Sequence, residues 1–411
     1  MISDECRGEA EFISSMSSHN YPFSTVNSQF DKLTIRRGTN SYKWDEAEDD
    51  DVIPMWVADM DFETAPCIVD ALRRRVEHGI FGYTLVPESY YDAVINWFAR
   101  RHQWQIEREW ILYTSGVVPA ISATIKALCS SGDKVIVQTP VYNCFFSSIR
   151  NNGCEIVENR LKRTGDSYEM DFDDLERKAS DPRAKIMLLC NPHNPAGRVW
   201  TREELSRLNE VCVRNNVVVV SDEIHCELVM PGYKYTPFAS VSESCLDNSI
   251  TLCSPSKSFN TAGLQIANIV SNNAETRRKI DRAININEVC DVNPFGVVAL
   301  QAAYNEGEPW LTELNEYIYG NYQALCEFFE AELPGLPVTK LEGTYLVWVD
   351  ITATGMSSDE LTSRLLEEAK VLVNSGTMYG AVAGEGFVRL NIACPRERMM
   401  EGLRRIKSVV G

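Results

Sequence analysis

The sequence predicts an α/β fold built on a largely parallel sheet, followed by a smaller α+β unit, and three observations carry that prediction. Short apolar runs alternate with amphipathic segments through the middle of the chain, the pattern of strands joined by crossover helices. One of them, Val217–Val220, is apolar without interruption, as a strand covered on both faces must be. From about Asp291 helical periodicity takes over, so the chain changes character there. A large domain is therefore expected over residues 61–290 and a small one over 291–411. Residues 29–60 are expected to pack with the small domain, and the polar, serine-rich stretch 1–28 to be a disordered arm.

Strands are expected at Ile111–Thr114, Lys134–Gln138, Lys185–Cys190, Val217–Ser221, Ile250–Cys253 and Gln265–Val270. Between them, helices fit Ala120–Cys129, Asn143–Asn151, Phe172–Ala179 and Thr201–Asn215. The last of these opens on Thr201-Arg202-Glu203-Glu204, where threonine and the glutamate three residues on satisfy each other's backbone amides as a capping box. The C-terminal part reads as helix Pro309–Leu333, strand Gly343–Asp350, helix Ser358–Ala369, strands Val371–Asn374 and Phe387–Asn391, and helix Pro395–Val409.

With 411 residues, 44% of them hydrophobic, the chain can bury a large core. Its net charge of −18 disfavours nucleic acid and anionic membrane surfaces, which need a basic face. An anionic ligand must instead be held by local cations. No apolar run reaches the length of a membrane span, and the N-terminus lacks the basic and apolar regions of a secretion signal. Thirteen cysteines, odd in number and without a Cys-x-x-Cys pair, suggest reduced thiols in the cytoplasm, with no disulfide framework and no metal site.

Ligands of such sheets bind beyond the carboxyl ends of the strands, and the polar clusters fall there. Asp222 closes the Val217–Ser221 strand, and Lys257 follows the next strand within Ser254-Pro255-Ser256-Lys257. Pyridoxal phosphate chemistry needs this pair: a lysine to hold the cofactor as a Schiff base, and an aspartate to keep the pyridine nitrogen protonated. The hydroxyls before the lysine can hold the phosphate. Thr114-Ser115-Gly116-Val117-Val118 precedes Pro119 and is either a phosphate cradle of free amides or a plain strand-to-helix turn. Tyr142 offers a ring to stack on a pyridine or serves as a core tyrosine, and Asn191–Gly197 is an amide-bearing site or a structural turn.

In Pro54–Phe62, Phe81-Gly82-Tyr83, Asn191–Gly197, Ser221–His225, Ser254–Asn260, Ala262-Gly263-Leu264 and Phe387–Pro395 the chain resembles the fold-type I pyridoxal phosphate enzymes of the aspartate aminotransferase superfamily, aminotransferase class I/II. Within it the likeness is to the MalY/PatB branch of cystathionine β-lyases, the C–S lyases, and runs from about Phe30 to Gly411. The resemblance implies the pyridoxal-phosphate-dependent transferase-like fold and a set of roles. Lys257 is the Schiff-base lysine and catalytic base. Asp222 partners the pyridine nitrogen, Asn194 binds the ring hydroxyl, His225 stands beside the ring oxygen and Tyr142 stacks. Gly116 and Val117 amides with the Ser254 and Ser256 hydroxyls take the phosphate. Tyr83 reaches the neighbouring subunit's phosphate in a homodimer. Arg389 forks the substrate α-carboxylate, a planar task that suits guanidinium, and Ala58 lies near that carboxylate.

Two departures from the transaminase pattern favour the lyase branch. Transaminases usually carry tyrosine where His225 stands, and arginine where Gln265 stands. The implied reaction is α,β-elimination of L-cystathionine or another S-substituted L-cysteine, a small amino-acid substrate, to pyruvate, ammonia and a thiol. An aminotransferase of an L-amino acid using the same cofactor is the near alternative. A regulatory protein of the same fold with residual lyase activity is the distant one.

Overall fold

The computed structural model describes residues 28–286, 288 and 291–411, so nearly all of the expected N-terminal arm lies outside the described residues. In chain order the strands are β1 (Ile53–Pro54), β2 (Ile111–Thr114), β3 (Lys134–Val137), β4 (Glu155–Glu158), β5 (Lys162–Thr164), β6 (Ser167–Glu169) and β7 (Ala184–Cys190). They continue with β8 (Val218–Asp222), β9 (Ser249–Cys253), β10 (Ala267–Val270), β11 (Leu346–Asp350), β12 (Val371–Leu372), β13 (Asn374–Ser375) and β14 (Phe387–Asn391).

Seven strands form the main sheet in the order β2-β10-β9-β8-β7-β3-β4. Pairing is parallel from β9 through β8, β7 and β3 to β4, and only β10 runs antiparallel to its neighbours. Alternation along these strands explains the layers. Met187, Leu189 and Val219 pack on one face with Leu205, Leu208 and Val211 of helix Arg202–Arg214. Ile186, Leu188 and Val220 point to the other, against Ile121 and Ile125 of helix Val117–Leu128 and Phe145 of helix Asn143–Asn151. Both sets are apolar, which is why such strands read as unbroken runs.

The capping box at Thr201 forms as expected, with Thr201 Oγ1 accepting from the Glu204 amide and Glu204 returning the bond to the Thr201 amide. The strand expected from Gln265 begins only at Ala267, because Gln265 is turned into the left-handed region at φ 52°. The expected strand Val371–Asn374 divides into two: β12 pairs in parallel with β1, while β13 joins β14 and β11 in a three-stranded sheet. Helices Pro66–Glu77, Glu88–His102 and Pro294–Glu306 pack together and add a third apolar cluster. Among the described residues every cysteine is a free thiol, and no helix is long and apolar enough to cross a membrane.

Candidate active site

Parallel strands release their chains at one edge of the sheet, and β2, β3, β7, β8 and β9 all end beside a cavity of about 200 Å³. Its walls include Ala58, Gly116, Val117, Tyr142, Asn194, Asp222, His225, Ser256, Lys257 and Gln265. A groove of about 530 Å³ between helices Pro66–Glu77 and Pro294–Glu306 is larger but shares no wall residue with this cavity.

Asp222 is the last residue of β8, buried, with Oδ1 accepting from the Ile224 amide at 3.1 Å. Burial pushes its carboxyl up to about 7, with the neighbouring Glu223 adding to the rise and Lys257 opposing it. An acid so placed is short of positive charge. Lys257 sits in the turn after β9 and donates from Nζ to the Ala58 carbonyl at 2.6 Å. Burial pulls its ammonium down to about 8; Arg389 adds to that, while Asp59 and Asp222 oppose it. His225 is brought to about 3 by burial, then by Lys257 and Arg389, so its imidazole is neutral. Its Nδ1 is buried without a partner among the described residues.

Arg389 lies in the middle of β14, donating from Nη1 to Asn194 Oδ1 at 3.2 Å and from Nη2 to the Trp56 carbonyl at 2.7 Å. The Tyr379 ring lies under its guanidinium at 4.8 Å, and the Tyr379 hydroxyl accepts from Asn374 Nδ2 at 2.9 Å. No carboxylate among the described residues pairs with this buried cation, and its Nε is unpartnered. An anionic ligand would complete it.

The helix Val117–Leu128 opens on Gly116 without a side-chain cap, so its first amides are free of one. A Cβ at Gly116 would stand 3.3 Å from Pro119 Cδ, so glycine keeps this cradle open. Ser256 lines the cavity, but Ser254 does not. The Ser254 hydroxyl donates to the Ile266 carbonyl at 2.6 Å and accepts from the Ser256 amide at 3.1 Å. These bonds tie the Ser254 hydroxyl into the turn that carries Ser256 and Lys257. Tyr83 stands outside the cavity, 97% exposed.

The donor set fits pyridoxal phosphate. It combines a buried amine, a buried carboxyl short of positive charge, an orphaned imidazole nitrogen and an open helix start on one cavity. Sequence reasoning missed the residues that work through backbone. Asn391 Nδ2 donates to the Val57 and Asp59 carbonyls at 2.5 and 2.7 Å. Asn260 binds Met60 through both its amide and its carbonyl, and Arg36 pairs with Asp59 and Asp61. Both asparagines lie inside segments that carried the family likeness, and this was the one signal for them.

The pattern of the aminotransferase class I and II family matches residues 50–406. Cystathionine beta-lyase PatB of Bacillus subtilis is 44% identical over 93% of this chain and 99% of its own length. Protein MalY of Escherichia coli is 33% identical over 91% of this chain and 96% of its own. The PLP-bound C-S lyase from Staphylococcus hominis superposes with a TM-score of 0.87 at 35% identity, covering 93% of this chain and 98% of that one.

Proposed function

The chain belongs to the aminotransferase class I and II family, and from that premise we propose that it is a pyridoxal-phosphate-dependent C–S β-lyase. It converts L-cystathionine or a related S-substituted L-cysteine, with one water, to pyruvate, ammonia and a thiol. The observation that carries this reading is the meeting of Lys257, Asp222 and His225 on one cavity with the unpaired Arg389 guanidinium beside it. Relatives 44% and 33% identical that are named cystathionine beta-lyases supply the reaction class.

Lys257 would hold the cofactor's aldehyde carbon, Asp222 its ring nitrogen, Tyr142 its ring face, Asn194 and His225 its ring oxygen. The Gly116 and Val117 amides with the Ser254 and Ser256 hydroxyls would take the phosphate. Bound there, the cofactor supplies an electron sink for the substrate's α-carbon. Arg389 fixes the α-carboxylate, and the Tyr379 ring and Trp56 carbonyl fix Arg389 in turn. With its ammonium brought to about 8, freed Lys257 is a competent base for the α-proton near neutral pH. Electrons left at the α-carbon then expel the thiolate from the β-carbon. Gln265 stands on the cavity wall where transaminases usually place arginine, and this supports elimination over amino transfer.

In buffer free of keto acids, L-cystathionine should release homocysteine continuously. No thiol release, with a new amino acid formed only when a keto acid is added, would make the protein a transaminase.

The assembly is read as a homodimer, and the site is read as cytoplasmic from the unbridged cysteines. Ile80, Phe81, Tyr83 and Leu85 form an exposed apolar run, which a second copy would cover. If Tyr83 completes the neighbour's site, Tyr83→Ala and Lys257→Ala proteins, each of low activity alone, should regain activity when mixed and refolded together. A mixture no more active than its parts would remove the cross-subunit role.

A further inference from the structure

We propose that Tyr345 is a further positioning residue of this reaction, pinning the Ala58 carbonyl on which the free amine of Lys257 docks. The proposal rests on the reading of Lys257 as the base. The Ala58 oxygen accepts from two donors, Lys257 Nζ at 2.6 Å and Tyr345 Oη at 2.9 Å. A carbonyl offers two lone pairs, so both are in use. Tyr345 is fully buried, and burial raises its phenol far above the ordinary value, so it is a permanent donor.

The surroundings hold this arrangement against strain. Tyr345 follows Thr344, a β-branched residue at φ 72°, a conformation that persists only where neighbours enforce it. The Thr344 amide donates to the Leu228 carbonyl at 2.7 Å, and its hydroxyl accepts from the Leu346 amide at 3.1 Å. The Gly343 amide donates to the Gly197 carbonyl at 3.0 Å, and a Cβ at Gly343 would come within 2.9 Å of Val199 Cγ2. The turn is thus wedged between the chain after Asn194 and the chain after His225.

The acceptor is held equally firmly. Trp56 O accepts from Arg389 and Asn374, Val57 O from Asn391 and the Asp59 amide, and Asp59 O from Asn391. Met60 O accepts from Arg36 and Asn260. Ala58 alone in this run has the lysine as one of its donors. When Lys257 leaves the carbonyl to hold the cofactor, Tyr345 is the donor that remains. It keeps the peptide from rotating, and the carbonyl is in place when substrate sets the amine free. One N–H is then fixed and the lone pair is aimed, the condition for proton transfer.

The test is Tyr345→Phe, which removes one hydroxyl and keeps the buried ring. We expect kcat to fall about tenfold with KM little changed, since a misaimed base costs rate rather than binding. The α-deuterium isotope effect on kcat should rise. In cofactor-free protein, acylation of Lys257 by acetic anhydride, read by peptide mass spectrometry, should speed up about threefold or more, as an untethered amine would. Unchanged kcat with unchanged labelling overturns the proposal. So does a loss of kcat with labelling and isotope effect both unchanged, since that is a loss of folded enzyme. Failure of the Lys257 reading shows separately, as activity retained in Lys257→Ala.

Discussion

Lys257→Ala is expected to lower kcat for pyruvate release by about a thousandfold, the scale of losing a positioned base. The loss should be this large because nothing nearby can take over. His225, the other basic side chain on the cavity wall, is pulled down to about 3 by burial and by two cations. A group that acidic is a poor acceptor for an α-proton at neutral pH. Asp222 is committed to the far side of the cofactor in this reading, and Arg389 cannot accept a proton. Steady-state assays on protein shown to retain cofactor by absorbance decide the matter. A variant within about tenfold of wild type would remove Lys257 from the role of base.

Asp222→Asn is expected to lower kcat by about a hundredfold or more, since it deletes a preorganised charge from a water-poor site. Asparagine keeps the shape and the acceptor for the Ile224 amide, so the fold should survive. The variant also has a signature in stability. In cofactor-free protein burial raises Asp222 from 3.8 to about 7. The unfolded chain therefore ionises first, and this group favours unfolding increasingly as pH rises from about 4 to 7. Thermal melts of cofactor-free wild type should lose stability over that window, while Asp222→Asn should lose less. Parallel pH curves for the two proteins would contradict the carboxyl's placement.

How much of this was legible depends on what each residue does. The central strands were readable because both faces of β7 and β8 are covered, leaving unbroken apolar runs. Edge strand β4, Glu155-Ile-Val-Glu, carries charges at both ends, and the hairpin β5–β6 is short and largely polar. Neither has an apolar signal to find. The split of Val371–Asn374 is set by two different partners, Ile53 far upstream and Arg389 downstream, which no local pattern encodes. In the site, Asp222, Asn194 and Lys257 were legible because reactive side chains at strand ends are informative in themselves. Ser254 was legible as a polar type in that turn, but not its bond to the Ile266 carbonyl, which depends on a partner after the next turn. The roles of Tyr345, just before β11, and Asn391, at the end of β14, were not legible because both act on the backbone of Val57–Asp59. A hydrogen bond to a carbonyl places no demand on the side chain that follows it.

Reduction of the cofactor-loaded protein with borohydride, followed by peptide mass spectrometry, tests the central claim most directly. The account predicts a single pyridoxyl group on the peptide containing Lys257, and its disappearance from that peptide when substrate is added before the reductant. A label on any other lysine, or one that substrate fails to displace, would contradict it.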